Sequence, residues 1–280
     1  MSNKLVSIVI PTENSAKPLL RCLKSIRDQL YTPIETIIVD GKSTDKTLAI
    51  AQQFNCRVFT FIPKVKKNAY NASHKRNFGA HKARGTYVYW VDADMLLPKK
   101  LIQEAVQLCE NRADAVIVPE DSFGRGPWAK AKNLERRCYW EDTTVEAPRF
   151  FKRTVLKKIK WFDESLGAGG DDLDIYLKTI EAGFTVHRSK NILFHDEGHL
   201  TLKKLFLKRF RYGRDTLKYF RKRPLRSVVS FFPLHPAYLK HWRMFVKRPT
   251  DTYHFIIMRS VEYIAGFLGI MYSYIDRTEN

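Results

Sequence analysis

Asp92-Ala93-Asp94 places two carboxylates two residues apart, after the apolar run Thr86-Tyr87-Val88-Tyr89-Trp90-Val91 and before Met95-Leu96-Leu97. Carboxylates in such a setting lose solvation unless a cation, a run of backbone amides or water compensates them. Asp40 likewise ends the strand-like stretch Glu35-Thr36-Ile37-Ile38-Val39. A third acidic group, Asp171-Asp172 with Asp174, follows Gly167-Ala168-Gly169-Gly170. Those glycines allow a backbone to approach a ligand closely. Each acid also has a plainer reading. Asp92 and Asp94 could be solvated at a strand end or cap the next helix, and Asp172 suits a helix N-cap.

The elements that must position these acids alternate. Val6 to Ile10, Glu35 to Val39, Arg57 to Phe61, Thr86 to Val91 and Ala113 to Val118 read as strands. Between them, apolar residues recur at helical spacing at Leu19, Leu20, Leu23 and Ile26 and again at Leu48, Ile50, Ala51 and Phe54, while Asn71 to Arg84, stopped at Gly85, and Pro98 to about Glu110 also read as helices. Ser43-Thr44-Asp45 is a helix-start signal. This alternation predicts an α/β fold with a mostly parallel sheet covered on both faces. Ligands bind beyond the carboxyl ends of such strands. Thr12 and Glu13, Asp40, and Asp92 with Asp94 all fall on that rim. Beyond residue 120 the pattern predicts helices near 130–139 and 172–182, with short strands near 149–151, 184–187 and 192–194.

In order, Val6-Ser7-Ile8-Val9-Ile10-Pro11-Thr12, Ile38-Val39-Asp40-Gly41 through Thr47, Arg76-Asn77-Phe78-Gly79, Asp92-Ala93-Asp94 and Trp161-Phe162-Asp163-Glu164 with Gly170-Asp171-Asp172-Leu173-Asp174 resemble the motifs of glycosyltransferase family 2. The resemblance covers about residues 5 to 200 and implies the GT-A fold, Rossmann-like, with a nucleoside-diphosphate sugar as donor. It implies a divalent cation, manganese or magnesium, at Asp94, with Asp92 at the ribose or on the metal through water. His195 is a further candidate metal ligand. Asp40, Thr12, Glu13 and Lys42 would line the nucleoside pocket, and Arg76 would approach the diphosphate or base. Asp172, with Asp171 beside it, would be the general base for an acceptor hydroxyl, giving inversion at the anomeric carbon. Against a lipid phosphate acceptor Asp172 would only orient the nucleophile. Glu13 stands where the family commonly has an aromatic residue, and Asp171 replaces the usual Glu. The Gln-x-x-Arg-Trp motif of processive synthases is missing, which argues for transfer of a single sugar.

The chain is 280 residues long with a formal charge of +20. Fifteen of its 49 Lys and Arg, but only Asp215 among its acids, lie between Lys203 and Arg248. That segment should face an anionic partner. Phe206, Phe210, Tyr212, Tyr219 and Trp242 are interleaved with the charge. Basic, aromatic helices of this kind lie at membrane interfaces. Arg211 and Arg214, in this segment, are candidate diphosphate ligands. Tyr253 to Ile275 is long enough to cross a bilayer, but Arg259 and Glu262 stand in its first half, three apart, where they can pair. The expectation is a GT-A domain over residues 1–200 and a helical, membrane-associating region over 201–280. It would sit at the cytoplasmic face of the cell membrane, peripherally or with one C-terminal span, and take a polyprenyl phosphate or lipid-linked sugar as acceptor. The short run Leu5 to Ile10 is not a signal peptide. The scattered Cys22, Cys56, Cys109 and Cys138 read as buried thiols rather than a zinc site. The competing readings are a basic nucleic-acid-binding protein, which no recognised motif supports, and a glycosyltransferase with a soluble acceptor.

Overall fold

A computed structural model describes residues 4–64, 72–166 and 170–278. Asn71 and the glycine run Gly167-Ala168-Gly169 lie outside the described residues. The strands are β1 (Val6–Thr12), β2 (Ile34–Asp40), β3 (Arg57–Thr60), β4 (Tyr87–Trp90), β5 (Met95–Leu96), β6 (Ala115–Ile117), β7 (Glu120–Arg125), β8 (Pro148–Lys152), β9 (Val186–Arg188) and β10 (Leu193–His199). The helices that matter for the site are α1 (Ala16–Arg27), α2 (Thr47–Gln53), α3 (Ala72–Lys82), α4 (Leu101–Asn111), α5 (Pro127–Cys138), α6 (Arg153–Lys158), α7 (Asp171–Glu181) and α8 (Leu202–Lys222). Four more follow: α9 (Pro224–Phe231), α10 (Pro236–Lys240), α11 (Trp242–Lys247) and α12 (Pro249–Thr278).

Seven strands form one sheet in the order β3-β2-β1-β4-β8-β6-β9. All neighbouring pairs are parallel except those of β8, which runs antiparallel to β4 and β6. The sheet splits the core by strand alternation. Ile8, Ile10 and Tyr89 face α1 and α4, while Val9, Val39 and Trp90 face α3, α6 and α7. Gly79 decides how closely α3 can lie on this sheet. A Cβ there would sit 2.3 Å from Val9 Cγ1 and 2.9 Å from Val39 Cγ2. The missing side chain therefore brings Lys75 and Arg76, one turn earlier, down to the strand ends.

A second, three-stranded sheet, β5-β10-β7, stands beside the first. Sequence periodicity does not reveal it. Glu120 to Arg125 reads EDSFGR, and the far end of β10 reads HDEGH, so neither shows apolar alternation. The two strands are held by parallel pairing with each other rather than by a buried apolar face.

The C-terminal helices pack on α5. Leu134, Leu205, Phe255 and Met258 form their own core. α8 and α12 cross with backbone in contact: a Cβ on Gly213 would lie 2.2 Å from the Gly266 carbonyl oxygen. The Arg259–Glu262 pair forms as expected, at 2.6 Å, and also engages Glu135 (2.8 Å from Arg259) and Lys132 (3.2 Å from Glu262). The first half of α12 is thus anchored in protein. Among the described residues α12 is the one helix long and apolar enough to cross a membrane. Its outer face exposes Ile256, Ile264 and Phe267, and α9 to α11 expose Leu225, Leu234, Leu239 and Trp242.

Candidate active site

The acidic motif after β4 is a turn. Met95 N–H donates to the Asp92 carbonyl (3.1 Å), and Asp196 N–H donates to the Asp94 carbonyl (2.9 Å), which ties the turn to β10. Asp92 is met by two guanidinium groups: Arg76 Nη2 at 3.0 Å, from α3, and Arg149 Nη1 at 3.5 Å, from β8. Burial alone would raise the Asp92 carboxyl. Arg76 and then Arg149 outweigh burial and hold it at about 2. Asp94 is 41% exposed, and its carboxylate lies 3.1 Å from His195 Nε2.

Arg76 is itself buried and spans two acidic groups. Its Nη1 lies 3.1 Å from Asp172 and 3.5 Å from Asp171, at the start of α7. One side chain therefore links the Asp92 turn to the candidate base. The two aspartates of α7 differ. Asp172 is 37% exposed on its side chain, whereas Asp171 is buried and accepts from Ser73 Oγ at 2.8 Å. Burial and the Asp172 charge push Asp171 up to about 7, against Arg76. Asp174 is fully buried and held by Lys222 at the end of α8 (2.8 Å) and by Arg223 just after it (3.1 Å), so it braces the helix.

Behind Asp92 lies a cavity of about 360 Å³, walled by β7, β8, β10, α5, α7, α8 and α12. Glu120 is its hub. It pairs with Arg149 (2.6 Å) and Arg136, and its Oε2 lies 3.6 Å from His195 Nδ1. Arg136 Nη2 also reaches His195 Nδ1 at 2.8 Å. Burial and Arg136 favour the neutral imidazole, yet the hydrogen bonds to Asp94 and Glu120 outweigh them and raise His195 to about 9. Burial opposes ionisation of Glu197, but His195 and Arg136 hold it at about 2.

At the opposite end of the rim, Thr12 and Asp40 meet as predicted, but not as open ligands. Asp40 is sealed from solvent and accepts from Thr12 Oγ1 (2.8 Å), Ser43 Oγ (2.6 Å) and Ser43 N–H (2.7 Å). In this structure it ties Thr12 at the end of β1 to the loop that carries Ser43. Lys42 is exposed in the left-handed region, at φ 65°. Glu13 is exposed and lies 3.4 Å from Lys75 Nζ. Lys75 is no surface charge: it is buried and donates to the Thr12 carbonyl at 3.0 Å.

The basic segment divides by helix face. α8 turns Lys208, Arg209 and Tyr212 to the cavity, one helical face. Arg214 instead stacks on Tyr272 of α12 at 5.1 Å, and Arg211 is exposed and outside the cavity wall. Residues at 208 and 212 share a face that 211 and 214 leave.

Among the described residues no three His, Cys, Asp or Glu converge as a protein-caged metal requires. Asp94 and His195 alone fit a hard cation that takes its remaining ligands from phosphate oxygens and water. Glu120, behind Nδ1, is then the carboxylate that orients the ring.

A family model described as glycosyl transferase family 2 matches residues 7–170, more than half of the chain. The chain belongs to glycosyltransferase family 2. It is 30% identical over 173 residues to the poly(ribitol-phosphate) beta-N-acetylglucosaminyltransferase TarP of Staphylococcus aureus, covering 56% of this chain and 51% of TarP. It is 27% identical over 180 residues to TarS of the same species, covering 60% of this chain and 31% of TarS. The matched region thus spans about half of TarP and under a third of TarS. The fold is similar to that of the mannosyltransferase PcManGT from Pyrobaculum calidifontis in complex with GDP-Man and Mn2+, at 18% identity, TM-score 0.65, covering 97% of this chain and 88% of that one. TarS 1–349 in complex with UDP-GlcNAc matches at 18% identity, TM-score 0.55, covering 92% and 90%. The GT-A architecture expected from the sequence is the one found.

Four site residues escaped sequence reasoning as functional candidates: Arg149, Glu120, Arg136 and Glu197. They sit on short strands and on α5, outside any motif. The one available signal was Arg149-Phe150-Phe151, a cation at the mouth of a buried strand.

Proposed function

We propose that the protein is an inverting glycosyltransferase that moves one hexose from a nucleoside-diphosphate sugar to a lipid-linked acceptor at an anionic membrane surface. The observation that carries this reading is the Arg76 bridge, which joins Asp92 to Asp172 across one cavity. Thr12, Asp40 and Lys75 shape the nucleoside end, with Glu13 and Lys42 at its edge. Asp94 and His195 are the metal ligands. A divalent cation there, when bound, neutralises charge that gathers on the leaving diphosphate. Arg76 and Arg149 supply fixed positive charge beside it. Lys208 takes the role expected of Arg211 and Arg214. It lines the cavity, and among the described residues no carboxylate lies within ion-pair distance of it. Asp172 accepts the proton of the acceptor hydroxyl. Asp171, buried and close to half-protonated near neutrality, limits the negative charge beside it.

The relatives and neighbours named above act on or bind UDP-GlcNAc, GDP-Man and poly(ribitol-phosphate), and they support a nucleotide-sugar donor. The apolar and basic face of α9 to α12 supports membrane attachment. A thermal-shift screen of nucleoside diphosphates with and without manganese tests the donor reading. One diphosphate should stabilise the protein, more with manganese than without. No stabilisation by any of them would overturn it.

A further inference from the structure

The cavity does not end at the candidate base. Beyond Asp172 it runs between α5, α8 and α12, where its wall is made by Glu135, Arg136, Glu197, Arg209 and Glu262. The chain as a whole carries +20, yet this wall does not share that excess. Along the whole cavity, eight Asp and Glu stand against six Lys and Arg among the described residues. The cations at the inner end are already matched. Arg136 is held by Glu120 and lies 3.3 Å from Glu197. Lys132 is 2.6 Å from Glu135 and 3.2 Å from Glu262, and Arg209 is 3.8 Å from Glu262.

Ionised carboxylates accept hydrogen bonds and cannot donate them. A wall of paired carboxylates and guanidinium groups offers both acceptors and donors without net positive charge. That suits a neutral ring carrying several hydroxyls. It disfavours a second phosphate group, whose charge would meet Glu120, Glu197 and Glu262 at short range, while Lys208, the wall cation outside these ion pairs, is taken up by the donor diphosphate. Trp140 and Tyr139 add aromatic surface to the same wall.

We infer that the inner cavity is the acceptor subsite and takes a neutral sugar, so that the group glycosylated is a sugar hydroxyl and not a lipid phosphate. This rests on the glycosyltransferase reading and narrows it. The acceptor oxygen bonds to the anomeric carbon of the donor. The bond from that carbon to the diphosphate oxygen breaks, and its electron pair leaves with the nucleoside diphosphate. The hydroxyl proton passes to the Asp172 carboxylate. A lipid carrier, where there is one, stays on the exposed face of α9 to α12 while only its sugar enters.

The test uses the full chain and the nucleotide sugar whose diphosphate gives the largest thermal shift. Its radiolabelled sugar is offered to a panel of octyl glycosides, to the matching methyl glycosides and to decyl phosphate. Transfer to at least one glycoside, about tenfold or more above decyl phosphate, is expected. An octyl preference over methyl assigns the sugar to a lipid headgroup, and equal use assigns it to a free saccharide; both support the subsite. Trp140→Ala, which removes aromatic surface from the wall, should raise KM for the accepted glycoside up to about tenfold and leave the donor KM within about twofold. Decyl phosphate equalling or exceeding every glycoside would overturn the inference, as would no glycoside being accepted although the diphosphate binds. An unchanged glycoside KM in a folded Trp140→Ala protein would remove Trp140 from the subsite and count against it. Absence of any nucleotide shift would instead overturn the donor reading beneath it.

Discussion

Replacing Arg76 by alanine removes the cation shared by Asp92, Asp171 and Asp172. Breaking a buried ion pair by deleting one partner costs about 3–5 kcal/mol. Here the loss is moderated. Asp92 keeps Arg149 at 3.5 Å, and Asp172 is exposed enough for water to screen it. Asp171 is the sensitive group, because burial and Asp172 already push it up to about 7 and Arg76 works against that rise. Without Arg76 its carboxyl rises further. The sign follows directly. A raised carboxyl destabilises the fold above its unfolded value, and the penalty stops growing once pH passes the folded value. Near pH 5.5 Asp171 is protonated in both folded proteins and contributes no difference. Above pH 7 each further unit of rise costs about 1.4 kcal/mol. The expected loss is therefore about 2 kcal/mol near pH 5.5 and about 3–4 kcal/mol near pH 8.5. At about 2–4 °C per kcal/mol for a chain of this size, Tm should fall by roughly 4–8 °C and 6–16 °C respectively. Calorimetry of both proteins at the two pH values measures this. A fall below about 2 °C, or one equal at both pH values, would refute Arg76 as the shared counter-ion.

Asp94→Ala should abolish transfer while Tm stays within about 2 °C, because Asp94 is partly exposed and touches only His195 among the charged groups paired with it; retained activity would remove it from the metal site. Manganese affinity, followed by calorimetry with the diphosphate present, should strengthen up to about tenfold per pH unit between pH 6 and 8, since His195 is raised to about 9 and must release its Nε2 proton to bind. A flat profile would exclude His195 as a ligand. Gly213→Ala places a Cβ 2.2 Å from the Gly266 carbonyl and should cost about 1–3 kcal/mol in urea denaturation, as α8 and α12 are forced apart. Sedimentation with vesicles should show binding to anionic lipid that weakens with salt; equal binding to zwitterionic vesicles would contradict the role given to the basic segment.

Much of the first half was legible because its strands are buried on both faces and its helices carry apolar residues at regular spacing. Val6 to Ile10 and Glu35 to Val39 could both be read as strands; that they are neighbours is seen only in the structure. The acidic rim followed from where those strands end. What escaped was the wall facing that rim. β7 and β10 carry Glu120, His195 and Glu197 on polar strands whose pairing is supplied by each other, so no periodicity marks them. The antiparallel β8, which delivers Arg149, joins the sheet out of sequence order. Asp40 was recognised by type, but only packing reveals that its carboxylate is closed off by Thr12 and Ser43. Charge run and aromatic content do not fix the rotation of α8. The glycine contact with α12 does.

The most direct test follows the anomeric proton of an α-linked nucleotide sugar by NMR as the protein transfers it. Attack on the face opposite the diphosphate, assisted by Asp172, predicts a β-linked product formed while nucleoside diphosphate accumulates in equal amount. An α-linked product, or a nucleotide sugar left intact alongside a suitable acceptor and manganese, would contradict the single-displacement account.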